Sequence, residues 1–132
     1  MARYLVIDDS PTVRLTLAAA IRHVRPFGTE VLEAADAKGA LERFLDGKPD
    51  VVFLDMMLAD GEKGLDVLRE MLKSRPDAKI VLITGLASDD PEVRKAIMEG
   101  AFAHLQKPIR GELVRKALNE VEEESGRFGR IR

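Results

Sequence analysis

The chain has no cysteine and no tryptophan, and it has only two histidines, His23 and His104. Without cysteine there can be no disulfide, zinc-thiolate site, iron–sulfur cluster or thiol nucleophile. Two imidazoles do not make a multi-histidine metal site. A dominant charge is also missing, because 21 Lys plus Arg stand against 23 Asp plus Glu, a net of −2. No whole-chain electrostatic case for nucleic acid follows from that balance. Apolar runs stop far short of the roughly 20 residues that a membrane helix needs. The opening Met1-Ala2-Arg3-Tyr4-Leu5 enters a strand-like run and shows no signal-peptide pattern. What is present suits a globular domain: 132 residues, 45% hydrophobic and 33% charged. That is about one domain's length, enough to bury roughly two-thirds of the unfolded surface. A single cytoplasmic domain that does not enter a membrane is expected.

Two kinds of segment alternate along the chain. Tyr4-Leu5-Val6-Ile7, Val51-Val52-Phe53-Leu54 and Ile80-Val81-Leu82-Ile83 are short apolar runs bounded by polar residues. Thr29 to Glu33 and Ala101 to Leu105 are weaker examples. Such runs read as strands buried on both faces. Between them, Val13, Leu17, Ala20, Ile21 and Val24 follow the spacing of one helix face. Ala37 to Leu45, Leu65 to Leu72, Val93 to Ile97 and Leu113 to Val121 repeat that pattern, with Asp36 suited to an N-cap and Pro91 to a first turn. The alternation predicts an α/β fold, a doubly wound five-stranded parallel sheet with helices on both faces. Residues 125–132 lose the periodicity and carry two glycines and three arginines. They read as a flexible basic tail following a domain of residues 1–124.

In open parallel sheets, sites form beyond the carboxyl ends of the strands. The first strand delivers Asp8 and Asp9 there, and the third delivers Asp55. The fourth delivers Thr84 and Gly85, and the fifth Gln106, Lys107 and Pro108. Carboxylates converging at one edge repel, and a hard divalent cation such as Mg²⁺ relieves that repulsion. A lysine and a hydroxyl nearby complete a pocket for a transferring phosphoryl group. A carboxylate can itself be the nucleophile, forming an acyl phosphate.

Four elements in this order, each at a strand end, resemble the receiver domain of two-component response regulators, including the single-domain chemotaxis regulators. They are Val6-Ile7-Asp8-Asp9-Ser10, Val52-Phe53-Leu54-Asp55-Met56, Leu82-Ile83-Thr84-Gly85 and Lys107-Pro108. The resemblance spans about residues 3–124. It implies the flavodoxin-like strand order 2-1-3-4-5. It also implies that Asp55 accepts a phosphoryl group from the phosphohistidine of a sensor histidine kinase. Asp8 and Asp9 would hold Mg²⁺, with Asp55 and the backbone carbonyl of Met57 as further ligands. Thr84 and Lys107 would engage the phosphoryl oxygens, and Lys107-Pro108 would be a cis peptide. His104 occupies the position of the family's switch aromatic. The output would be a protein-docking surface around residues 88–122, on a monomer or a phosphorylation-promoted dimer.

Taken singly, each of these residues has a plainer reading. Asp8-Asp9 reads as a strand-end turn, Thr84 as a β-branched strand residue and Lys107 as a solvated lysine; only their combination favours a site. For His104, a half-buried structural histidine competes evenly with a switch. The sequence also departs from the family pattern. Where a proline usually follows the acceptor by four positions and a glycine by eight, this chain has Ala59 and, nine positions on, Gly64. The loop Asp60-Gly61-Glu62-Lys63 therefore reads as one residue longer. Met57 and Leu86 flank the expected path of an attacking water, and neither offers an amide or carboxylate. Slow loss of the phosphoryl group is the expectation.

Two rival enzyme or cofactor readings fit less well. A haloacid-dehalogenase-type phosphatase would carry Asp-x-Asp on the first strand, not adjacent Asp8-Asp9 with the acceptor on the third. A flavodoxin-like cofactor binder would need a phosphate loop and aromatic walls, where this chain has two acids and few aromatics. A phosphorylation-independent docking module is the third alternative. The eight residues after the domain hold no output module, so a stand-alone receiver and a piece of a longer regulator are both open on sequence alone.

Overall fold

The computed structural model describes residues 2–131, with side chains described through residue 124. Its elements alternate in the expected order. Strands β1 (Ala2–Ile7), β2 (Thr29–Ala34), β3 (Val51–Asp55), β4 (Lys79–Thr84) and β5 (Ala103–Gln106) interleave with helices α1 (Pro11–Val24), α2 (Ala37–Gly47), α3 (Gly64–Ser74), α4 (Pro91–Glu99) and α5 (Gly111–Ile131). The strands form one parallel sheet in the order β2-β1-β3-β4-β5.

The alternation of side chains along each strand sorts the core into two layers. Leu5, Ile7, Val52, Leu54, Ile80 and Leu82 face one side and pack with buried residues of α2, α3 and α4. Tyr4, Val6, Phe53, Val81 and Ile83 face the other and pack with α1 and α5. Both sheet faces are thus covered, and this is why the strands read as continuous apolar runs. Burying a side chain the size of Phe53, which is fully enclosed, contributes about 1.5–3 kcal/mol.

Helix starts follow local chemistry. The Ser10 hydroxyl accepts the Val13 amide at 3.3 Å, with Pro11 in the first turn. Asp36 accepts the Gly39 amide at 2.7 Å, and Asp90 accepts the Glu92 amide at 2.9 Å just before Pro91. Each side chain satisfies an amide that the helix leaves unpaired.

The fifth strand starts later than its apolar run suggested. Gly100 closes α4 with φ 127°, and the Ala101 amide bonds back to the Ala96 carbonyl at 3.0 Å. Ala101 is therefore used in the helix-to-strand turn, before β5 begins at Ala103. The α5 backbone continues to Ile131 through the stretch read as a tail. The side chains of residues 125–131, on which that reading rests, lie outside the described residues, as do Met1 and Arg132.

Tyr4 reports on the α1–α5 layer. Its side chain is buried. Burial raises the phenol's pKa above 10.0, reinforced by the negative charges of Glu122 and Asp50 and opposed by Arg25. A phenol with a raised folded-state pKa gives stability that is intact below the unfolded value and lost as pH rises through the folded one. Tyr4 is the only tyrosine and tryptophan is absent, so the tyrosinate absorbance band reports this residue alone. The spectrophotometric titration of the folded chain should have its midpoint above that of the urea-unfolded chain. Coincident midpoints would contradict this account of the α1–α5 layer.

Candidate functional site

The strand order reverses direction between β1 and β3, and ligand sites in open parallel sheets lie at such a switch. Ile7 pairs with Leu54 in register, so one residue further on Asp8 and Asp55 leave adjacent strand ends side by side. Carboxylate oxygens of Asp8, Asp9 and Asp55 lie within 4.8 Å of one another. Asp8 and Asp55 are buried at 1% and 5% exposure, whereas Asp9 is exposed. Two like charges about 4 Å apart near a protein surface repel by about 4 kcal/mol, so this cluster requires compensation.

Lys107 supplies part of it from the far side of the sheet. Its Nζ donates to Asp55 Oδ2 at 3.0 Å and lies 2.7 Å from Asp8 Oδ2. The contact with Asp8 is close but poorly aligned, and it leaves the buried Asp8 Oδ2 without a well-directed donor. Burial pushes the Asp55 carboxyl above its usual pKa, helped by the Asp8 charge; hydrogen bonds from Lys107 and the Met57 amide pull the other way without cancelling the effect. For Lys107, burial disfavours the charged ammonium, but its close contacts with the Asp8 and Asp55 carboxylates outweigh it and raise the pKa. Lys107 therefore stays charged. Three carboxylates this close, with one ammonium between two of them, suit a hard divalent cation.

The other expected site residues stand at neighbouring strand ends. Thr84 is buried at the end of β4, its backbone carbonyl accepting the Lys107 amide at 2.8 Å. The Thr84 hydroxyl accepts the Leu86 amide at 3.3 Å, and His104 Nε2 donates to the Leu86 carbonyl at 3.1 Å. The main chain of Leu86 is thus held by Thr84 on one side and His104 on the other. His104 itself is half-buried on β5, opposite Leu82. The Lys107–Pro108 peptide bond is cis. The Met57 amide donates to Asp55 Oδ1 at 3.2 Å, while its side chain is 66% exposed.

The loop after β3 has a definite shape. Met57 and Lys63 form an antiparallel bridge, closed by Leu58 N–H to the Glu62 carbonyl at 2.9 Å and Gly64 N–H to the Met56 carbonyl at 2.8 Å. Its tip is a short 3₁₀ turn, Ala59–Gly61, in which Asp60 adopts φ 59° and Gly61 φ 75°. The Glu62 carboxylate accepts the Ala37 amide at 3.0 Å, tying the loop to the start of α2.

Two side chains at the site carried no sequence signal. Arg14 donates from Nη1 to the Asp8 carbonyl at 2.7 Å and from Nε to Glu33 Oε1 at 3.0 Å. Glu62 makes the link just described. Arg14 sits four residues after the Ser10 cap, on the turn that faces back towards the strand end. An arginine on a first helical turn reads as an ordinary surface residue, so only the fold discloses its partner.

This chain belongs to the response regulator receiver family: the family's model, response regulator receiver domain, matches residues 4–119. Members of that family act as phosphoacceptor modules in two-component signalling. The chain is 32% identical over 120 residues to the chemotaxis protein CheY of Thermotoga maritima, covering 90% of this chain and 96% of that protein. It is also 32% identical over 108 residues to the response regulator GacA of Pseudomonas viridiflava, covering 81% of this chain but 49% of GacA. It therefore spans almost all of one relative and about half the length of the other. A response regulator receiver domain protein from Clostridium thermocellum superposes with a TM-score of 0.85 at 30% identity, covering 97% of this chain and 99% of that one.

Gly64 is the glycine that the site cannot replace. A Cβ there would sit against the Asp55 carbonyl oxygen and 2.7 Å from Met56 Cα, both backbone atoms. Gly64→Ala must push the strand end that carries Asp55, at a cost of roughly 1–3 kcal/mol. Its midpoint of urea unfolding should fall accordingly; a midpoint equal to wild type would mean that the loop accommodates the methyl group.

Proposed function

We propose that the chain takes a phosphoryl group from a sensor histidine kinase onto Asp55 and switches a protein-docking surface in response. The observation that carries this reading is the convergence of Asp8, Asp9 and Asp55 within 4.8 Å, with Lys107 in contact with two of them. Asp8 and Asp9 are the residues to hold Mg²⁺, joined by Asp55 and the Met57 carbonyl; the convergence of the three carboxylates supports that assignment. When bound, the ion supplies charge neutralisation to the phosphoryl oxygens.

The transfer balances simply. A carboxylate oxygen of Asp55 attacks phosphorus in line and forms an acyl phosphate. The P–N bond of the kinase phosphohistidine breaks, and its electron pair stays on the imidazole. Lys107 gives up part of its hold on Asp55 Oδ2 to pair with a phosphoryl oxygen, and its raised pKa keeps it cationic throughout. Thr84 turns its hydroxyl towards another phosphoryl oxygen. That removes the acceptor of the Leu86 amide, and the Leu86 carbonyl is the partner of His104. The loop and the His104 ring then shift together. The change spreads over residues 88–122, where Ile97 and Met98 already stand exposed on α4. It is a population shift limited by the phosphoryl group's differential contacts. A downstream protein or a second copy of the chain is the reader of that surface.

Intact mass after mixing with acetyl phosphate tests the acceptor. Wild type with Mg²⁺ should gain one phosphoryl group, whereas Asp55→Ala, or wild type without Mg²⁺, should gain none. Equal labelling of wild type and Asp55→Ala would remove Asp55 from the role.

Return to the unphosphorylated state should be slow and intrinsic, since the exposed thioether of Met57 and the side chain of Leu86 cannot orient a water as an amide can. Met57→Asn should accelerate decay of the acyl phosphate several-fold in a time course of intact mass. An unchanged or slower decay would exclude this explanation.

A further inference from the structure

We infer that Arg14 is a positioning residue for the acid cluster, holding the strand-end backbone so that Asp8 and Asp9 present their carboxylates together towards Asp55. This rests on the reading of that cluster as a Mg²⁺ site.

Asp8 stands where the sheet stops. The Asp8 amide makes its bond to β2, donating to the Ala34 carbonyl at 3.1 Å. Beyond that point β2 has ended, and the Asp8 carbonyl depends on a side chain for its partner. Arg14 provides it at 2.7 Å, reaching back from the first turn of α1. Its Nε is anchored at 3.0 Å on Glu33 of β2, and the side chain is only 18% exposed. A guanidinium presents its donors in a rigid planar fork, so two fixed partners leave it little freedom. The carbonyl it grips belongs to the peptide that joins Asp8 to Asp9. On the side-chain side, the Ser10 amide holds Asp8 Oδ1 at 2.9 Å. The turn carrying both acids is therefore clamped from α1 and from β2.

Charge and positioning predict opposite outcomes when Arg14 is removed. A cation beside an acid cluster competes electrostatically with a bound metal, so on charge alone its loss tightens Mg²⁺ binding. If Arg14 orients the ligands, its loss weakens binding, in line with the effect of removing partners that orient metal ligands. Arg14→Met keeps much of the aliphatic stem and removes both charge and fork. Arg14→Lys keeps the charge and removes only the fork.

The test is isothermal calorimetry of Mg²⁺ into the full chain for wild type, Arg14→Met and Arg14→Lys, at fixed ionic strength. Alongside it, the rate of labelling by acetyl phosphate is followed as a function of Mg²⁺. Arg14→Met should weaken Mg²⁺ binding by about tenfold, and Arg14→Lys by less. The Mg²⁺ concentration for half-maximal labelling should rise in parallel, while the rate at saturating Mg²⁺ stays at the wild-type value. Binding by Arg14→Met that is equal to or tighter than wild type would overturn the inference. So would Arg14→Lys binding as wild type does, because the two-pronged grip on the Asp8 carbonyl and Glu33 would then be dispensable. Absence of Mg²⁺ binding by wild type itself would instead strike the metal reading, and this inference with it.

Discussion

Crowding of carboxylates at the carboxyl edge of the sheet is the constraint around which the rest of this molecule is arranged. Asp8 and Asp55 are buried side by side, and Asp9 adds a third negative charge. Repulsion on the scale of about 4 kcal/mol per close pair is a large part of the 5–15 kcal/mol that holds a domain folded. One ammonium, from Lys107, meets two of these acids and leaves a net negative pocket. Such a pocket takes up cationic or electrophilic groups readily, and a phosphoryl group held with a divalent ion is both large and highly charged. The stored repulsion and the chemistry are the same feature.

A pocket of this kind keeps its geometry only on a stiff frame. Two apolar layers, one on each face of the sheet, provide that stiffness, since close-packed interiors resist small displacements. The parallel order with its reversal between β1 and β3 delivers acids from adjacent strands, while β5 delivers the lysine from beyond β4. Local devices finish the placement: the Ser10 amide on Asp8, the Met57 amide on Asp55, and the tight approach of Gly64 to the Asp55 backbone. At the tip of the loop after β3, Asp60 and Gly61 take positive φ. The part of the loop next to Asp55 remains closed by regular backbone bonds.

One residue joins the pocket edge to the outer strand. Leu86 is held through its amide by Thr84 and through its carbonyl by His104. Thr84 belongs to the pocket edge and His104 to the strand beside α4 and α5. Leu86 thus links the end of β4 to the neighbouring strand β5 through two hydrogen bonds. His104 reads as an even choice between structural and switching roles from sequence alone. The bond to Leu86 gives it a concrete mechanical link to Thr84.

Much of this is legible in the amino-acid sequence. Alternating short apolar runs and helical patterns specify an α/β fold because burial on two faces and burial on one face leave different periodicities. Asp8, Asp9, Asp55, Thr84 and Lys107 were placed at strand ends by the same patterns, because a run of buried residues has to end where polar chemistry begins. The strand order came through family resemblance, since adjacency of strands leaves no mark on periodicity. Arg14 and Glu62 were beyond reach for a related reason: charged residues on a first turn or in a loop look solvated until the fold brings the Asp8 carbonyl and the Ala37 amide to them. The start of β5 is not legible in the run because Ala101 is as apolar as a strand residue, and only its bond back to the Ala96 carbonyl shows that the turn consumes it. The sequence by itself determined which residues are buried, which carry charge and where strands end, because those follow from local composition and period. The tertiary structure alone decided which charges meet, because that depends on distances between segments far apart along the chain.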